Sequence, residues 1–158
     1  NPGEANFLPQ RNEDVNTYRE GKHQHLVEVE KTISLAAGTP KSVFFVPQVV
    51  PMSRGIISTM YTDAPKDLTT DKVLSIYRDY YAGKPFVSIT EKSPHTTDVR
   101  GSNRCEIRPM VDARTGTLFI TSVIDNLMKG QSGNAVQVAN IMLGFPETTA
   151  LDHPGFYP

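Results

Sequence analysis

Apolar residues return every third or fourth position in some stretches of the chain, and in others they alternate with polar ones or run together. The first rhythm marks helices and the second marks strands. Leu26, Val29, Ile33 and Ala36 share one face of a helix predicted over Lys22–Ala37, which Gly38 and Pro40 stop. Val43–Val50 is apolar and β-branched but carries Pro47, so it reads as a strand that bends or lies at a sheet edge. Gly55–Thr62 reads as a strand with Ile57, Thr59 and Tyr61 facing opposite to Ile56, Ser58 and Met60. A second helix is predicted over Thr70–Ala82. Asp71 suits the positive end of its dipole, Val73, Ile76, Tyr77 and Tyr80 form its apolar stripe, and Gly83 and Pro85 end it. Phe86–Thr90 is a short strand. Arg104–Val111 and Thr117–Ile124 are strands joined through Asp112-Ala113-Arg114-Thr115-Gly116, a hairpin signal.

The third helix, Ser132–Leu143, has little polar face: Ala135, Val136, Val138, Ala139, Ile141, Met142 and Leu143 surround it. A helix apolar nearly all round is buried on more than one side. One side can rest on its own sheet. The other asks for a second domain or subunit, unless the helix lies wholly inside one domain. The order helix, strands, helix, strand, hairpin, helix argues for an α+β fold, a mixed and largely antiparallel sheet with helices on one face. Asn1–Thr17, polar and holding Pro2, Gly3 and Pro9, reads as a lead-in or linker, with one domain over 18–158.

At 158 residues the chain has room for one sizeable core. A net charge of −1 with scattered Lys and Arg argues against a nucleic-acid or anionic-membrane ligand. A single cysteine, Cys105, excludes an intramolecular disulfide and zinc-cluster spacings. No apolar run is long enough for a membrane-spanning helix, and no signal-peptide core is visible. No metal is expected.

Candidate chemistry is sparse when each motif is taken alone. His23 and His25 stand at i and i+2, too little for zinc without a third ligand. They read as an exposed helix start or as an acid–base histidine. Pro51-Met52-Ser53-Arg54-Gly55 puts an arginine fork between two strands, either a surface turn or a carboxylate or phosphate clamp. Gly101-Ser102-Asn103 is an ordinary turn or a set of backbone N–H groups for an anion. Asp125–Asn134 combines glycines, Lys129 and a helix start, which suits an anion or cofactor contact, although Walker and dinucleotide spacings are absent. Cys105 reads as a buried strand thiol rather than a nucleophile.

Taken in order, the segments KHQHLVEVE, FVPQVVPMSRGIISTMYT, the PFV within Gly83–Ser88, VRGSNRCEI and SVIDNLMKGQSGNAVQVANIMLGFPE resemble N-acetyl-gamma-glutamyl-phosphate reductase over nearly all of Tyr18–Pro158. That family pairs a Rossmann domain with an α+β catalytic domain of the glyceraldehyde-3-phosphate dehydrogenase type. It reduces N-acetylglutamyl phosphate to the semialdehyde with NADPH, in arginine biosynthesis, through a cysteine thiolate helped by a histidine.

The resemblance implies the following roles. His25, with His23 close second, would partner the thiolate. Arg54, beside Ser53, would grip the substrate carboxylate or phosphate, with Gly101, Ser102 and Asn103 also at the substrate. Asn126, Lys129 and Gly130 would lie near the nicotinamide end of NADP. Ser132–Leu143 would pack against the Rossmann domain, and the domain would assemble as a homo-oligomer.

The family's P-G-C-Y/F nucleophile and its Gly-rich dinucleotide fingerprint are absent, so both are expected in an N-terminal domain outside this chain. The isolated chain is therefore expected to lack reductase activity. Gln24 stands where the family often has Arg, and Leu26-Val27 where it often has T-P. Two other readings are the catalytic domain of an aspartate-semialdehyde dehydrogenase and a non-catalytic oligomerisation module. The family works in the cytoplasm of bacteria and in an organelle of some eukaryotes.

Overall fold

The computed structural model of the chain describes residues 12–155. It divides into two compact units, Asn1–Ser53 and Arg54–Pro158, a division that falls inside the span expected as one domain.

In the first unit, two-residue strands β1 (Asn16–Thr17) and β2 (Gln48–Val49) pair antiparallel, and helix α1 (Leu26–Ala37) lies between them in sequence. Val43–Val50 was expected as one strand, and only Gln48–Val49 pairs. Pro47 has no N–H to donate, and the Val43 N–H goes to the Glu30 carboxylate at 3.0 Å. Part of the expected lead-in is structured, because Asn16 and Thr17 supply the partner strand; residues 1–11 lie outside the described residues. The helix starts later than the expected Lys22. His23 receives two backbone bonds, from His25 N–H at its ring Nδ1 and from Leu26 N–H at its carbonyl, and these hold 23–25 in a turn. Gly38, left-handed at φ 66°, closes the helix as expected. No described residue of this unit is buried, and Phe44 is 81% exposed, so the described residues of the unit form no apolar core of their own.

The second unit holds β3 (Ile56–Asp63), α2 (Thr70–Tyr80), β4 (Val87–Ile89), β5 (Cys105–Asp112), β6 (Thr117–Ile124), a π-helical turn (Met128–Ser132) and α3 (Gly133–Leu143). The sheet order is β3-β6-β5-β4, antiparallel except for the parallel β4–β5 pair. This is the α+β fold with a mixed, largely antiparallel sheet that the pattern predicts. The β5–β6 hairpin turns where Asp112 collects the Gly116 N–H on its carbonyl and the Arg114 N–H on its side chain. Register places Cys105, Ile107, Pro109 and Val111 on one face with Ile124, Ser122, Ile120 and Leu118.

A proline in the middle of a strand paired on both sides needs an explanation. On the β4 side of β5, Cys105 N–H donates to Phe86 and the Ile107 carbonyl accepts from Thr90. Pro109 has the same parity, so its missing N–H points to that side, beyond the end of β4 at Ile89. Two residues on, the Thr70 hydroxyl takes the place of a strand partner. It accepts from Val111 N–H at 3.1 Å and lies 3.3 Å from the Val111 carbonyl.

That bond also fixes the face α2 turns inward. Thr70, Leu74, Tyr77 and Tyr81 line up at i, i+4, i+7 and i+11. Val73 and Leu74 are buried, whereas Ile76 and Tyr80, expected in the stripe, are exposed. The apolar face is rotated from the expected one because a threonine hydroxyl, invisible to hydrophobic periodicity, anchors the helix. Burial holds the Tyr77 and Tyr81 phenols above their ordinary pKa. The core comprises Val73, Leu74, Phe86, Val99, Ile107, Val123 and Leu151.

Helix α3 turns its polar side inward. Gly133 and Asn140 are buried and Gln137 is half-buried, at i, i+7 and i+4, while Val136, Val138, Ile141, Met142 and Leu143 are exposed. Asn140 donates to the Glu147 and Thr149 carbonyls and so ties the helix to the segment that follows it. Among the described residues no helix is long and apolar enough to cross a membrane.

Candidate functional site

The histidine pair lies in the first unit. The His23 ring is half-buried among aromatic neighbours, with its centroid 5.6 Å from Tyr18, 5.5 Å from Phe45 and 4.7 Å from His25. Its Nδ1 accepts the His25 backbone N–H at 3.2 Å. His25 occupies the N-cap position of α1, is exposed, and makes no side-chain cap bond. The i, i+2 spacing does not separate the two rings, because 23–25 is a turn rather than helix. Ser53 is exposed in the bend that ends this unit.

Arg54 opens the second unit, just before β3, and is half-buried. Its Nη2 donates to Asp125 Oδ2 at 2.6 Å, with the Arg54 side chain 30% exposed and that of Asp125 fully buried. Asp125 follows β6 directly. Oδ2 also accepts the Gly101 N–H at 2.7 Å, and Oδ1 accepts the Leu127 and Met128 N–H groups at 2.8 and 2.9 Å. Burial alone would push this carboxyl up. The Gly101, Met128 and Leu127 N–H groups and the Arg54 guanidinium together hold it below the usual carboxylate range. A second clamp runs alongside: Gly55 N–H donates to Asn126 Oδ1 at 2.8 Å. Gly55 is glycine for cause. Its φ is +110°, and a Cβ there would stand 2.6 Å from the Thr96 Cβ.

Arg54 Nε is buried and makes no hydrogen bond among the described residues. A guanidinium has five N–H donors, and a buried one left without an acceptor is unusual. The fork is thus held by one nitrogen while a charged donor stays unsatisfied beside it.

The Gly101-Ser102-Asn103 turn is buried throughout. Its Gly101 N–H does meet an anion, the chain's own Asp125. Ser102 bonds back to Val99, and Asn103 Nδ2 donates to Gln137 Oε1 at 2.9 Å. Gln137 Oε1 also takes the Lys129 ammonium at 2.6 Å, and Gln137 Nε2 donates to Glu147. Lys129 lies 5.8 Å from the centroid of the Phe86 ring, and burial lowers its pKa against the pull of Cys105 and Glu147. Asn126 has its oxygen engaged with Gly55. Gly130 is exposed, and its N–H bonds to the Asp125 carbonyl at 2.9 Å. Burial pushes the Cys105 thiol up, with nearby Lys129 opposing. No group of three or more metal-ligating side chains occurs among the described residues.

Asp125 and Gln137 are the connecting residues that pattern reading missed. Asp125 did leave a signal: an Asp at a strand end, two and three residues before N–H groups it can accept, forms an Asx turn. Its arginine partner, far away in sequence, left none.

The mixed sheet, β3-β6-β5-β4, with its helices defines an α+β domain. Its fold is similar to that of aspartate semialdehyde dehydrogenase II from Vibrio cholerae, with TM-score 0.61 and 16% identity over 77% of this chain and 37% of that one. The chain belongs to the family described as semialdehyde dehydrogenase, dimerisation domain, whose profile matches residues 1–126. Among curated proteins it is 46% identical over 149 residues to N-acetyl-gamma-glutamyl-phosphate reductase from Moorella thermoacetica, covering 93% of this chain and 43% of that protein. It is 45% identical to the protein of the same name from Thermoanaerobacter sp. strain X514, covering 99% and 46%. The resemblance carried by the sequence blocks therefore extends over the whole chain, which spans less than half the length of these relatives.

Proposed function

We propose that this chain is the substrate-binding and catalytic part of an NADPH-dependent reductase that converts N-acetyl-L-glutamyl 5-phosphate to N-acetyl-L-glutamate 5-semialdehyde. The observation that carries the site is the Arg54 guanidinium, held by buried Asp125 and left with an unsatisfied Nε. Such a fork fits a carboxylate or a phosphate. Identity of 44–46% to reductases of that name supports that choice of substrate.

In this reading Arg54 binds and orients an oxyanion of the substrate, next to the Gly101-Ser102-Asn103 turn. His25 moves a proton at the reacting centre; His23, through the Nδ1 bond to the His25 backbone, shapes the turn that presents it. NADPH supplies hydride when bound. The residues of the turn after β6 fit that group in part. Asn126 has an amide nitrogen to offer and Gly130 is exposed, whereas Lys129 would have to release Gln137 to reach a nucleotide. The outward apolar face of α3 would receive the nucleotide-binding domain, and a dimer would form through this domain, as the matched family's description says of its members.

The test is complementation in trans. This chain is mixed with a separately expressed nucleotide-binding domain bearing the P-G-C-Y nucleophile, and NADPH oxidation is followed with N-acetylglutamyl phosphate. Activity is expected on mixing, lost with Arg54→Ala and with His25→Ala. A preference for aspartyl phosphate, or full activity in both variants, would sink the proposal.

A further inference from the structure

We propose that Asp125 is a positioning residue for substrate: it pins Arg54 through Nη2 so that the other donors of the fork are held in place before an oxyanion arrives. The proposal rests on the reading of Arg54 as the substrate's anion site.

Four geometric facts carry it. Asp125 is fully buried, and both its oxygens are used. Oδ1 is consumed by Leu127 and Met128 N–H, which fixes the carboxylate to the turn after β6. Oδ2 faces Gly101 N–H and Arg54 Nη2, so it fixes the turn before β5 and the guanidinium at once. The third fact is the parallel bond from Gly55 N–H to Asn126 Oδ1. Arg54-Gly55 is thereby tied at two successive residues to Asp125-Asn126, so the arginine backbone and its head group are anchored to the same dipeptide. The fourth is the unpartnered Nε. If the sole purpose were a structural ion pair, a bidentate fork would satisfy that nitrogen as well. Asp125 instead spends its remaining capacity on backbone N–H groups and leaves the arginine partly unsatisfied.

An arginine has considerable side-chain freedom to lose on binding, and a group already immobilised loses less. Removing the carboxylate should therefore weaken binding of the anionic substrate more than it slows chemistry. Asp125→Asn keeps the shape but removes the charge and sets an NH2 donor against either Arg54 and Gly101 or Leu127 and Met128.

The experiment uses the full-length reductase that carries this segment, with N-acetylglutamyl phosphate as the varied substrate. Asp125→Asn is expected to raise KM by about 10- to 100-fold with kcat changed far less, the pattern of lost substrate binding. A merely structural Asp125 would lower the fraction of active enzyme, and hence apparent kcat, with KM unchanged; that result overturns the proposal. The cycle with Arg54→Ala decides how Asp125 acts. If it works through Arg54, adding Asp125→Asn to Arg54→Ala raises KM no further. Independent, multiplying increases overturn it. An unchanged KM in Arg54→Ala would instead remove the reading of Arg54 itself. Should Asp125→Asn fail to fold, nitrogen-15 NMR of the wild-type arginine side chains gives the answer. An Arg54 Nε–H signal with restricted guanidinium rotation is expected before ligand is added, and a freely rotating one refutes pre-positioning.

Discussion

Replacing Met142 and Leu143 together by lysine tests whether the outward side of α3 is an interface. In the isolated chain these side chains are 79% and 71% exposed, so the isolated unit gains little from them. Lysine matches Leu and Met in helix propensity and suits the negative end of the helix dipole. Unfolding free energy by urea should therefore change by no more than about 0.5 kcal/mol. Docking is another matter. Full burial of a Leu or Met side chain contributes roughly 1.5–3 kcal/mol, and about three-quarters of that is still unspent here, giving roughly 1–2 kcal/mol for each residue. Losing both should weaken association with the proposed nucleotide-binding domain by about 30- to 1,000-fold, before the cost of burying two ammonium groups is added. The assay is a titration of labelled chain with that domain, alongside urea curves of the chain alone. Unchanged docking would refute the reasoning, and so would a destabilisation of several kcal/mol in the isolated chain.

The Cys105 thiol should react slowly with an alkylating reagent, and its rate should rise only above the ordinary thiol pKa, because burial holds the thiol protonated. The linkage has a definite sign. Between the ordinary and the raised pKa the unfolded chain releases a proton that the folded chain keeps, so the stability Cys105 contributes is complete below that window and falls as pH climbs through it. Cys105→Ser should lessen the alkaline loss in a pH series of melts. Gly133→Ala should cost about 1–3 kcal/mol, read from melting curves, because the added methyl would stand 2.5 Å from Asn103 Oδ1 and 2.9 Å from the Met128 carbonyl carbon.

Local chemistry made the hairpin and the helix ends legible in the sequence. Asp112 and Gly116 build a turn from their own side chain and backbone freedom, and Gly38 and Gly144 stop helices by left-handed geometry. Where a distant residue decides, the pattern fails. The inward face of α2 follows from one hydroxyl bonded to Val111, and β2 shrinks because its partner is two residues of the apparent lead-in. The apolar surplus of α3 was readable. Which side faces its own domain was not, because periodicity locates a stripe without saying where it points. The same limit applies to the site. Arg54 and the turn after β6 were singled out only by the family resemblance, and their coupling through Asp125 depends on β3 and β6 being neighbours, which only the folded sheet provides.

Strand β3 forms one margin of the sheet, and all eight of its residues are exposed. It carries Ile56, Ile57, Met60 and Tyr61, no proline and no lysine, and its first acidic residue is its last, Asp63. Proteins usually guard such a margin with charge, kinks or brevity, as the three-residue β4 does at the opposite side. Left bare, β3 is a template for another strand. Preparations of the isolated chain should thus be governed by dilution, with soluble yield falling as concentration rises, and an aspartate-to-asparagine change at position 63 would remove the one charge that resists stacking.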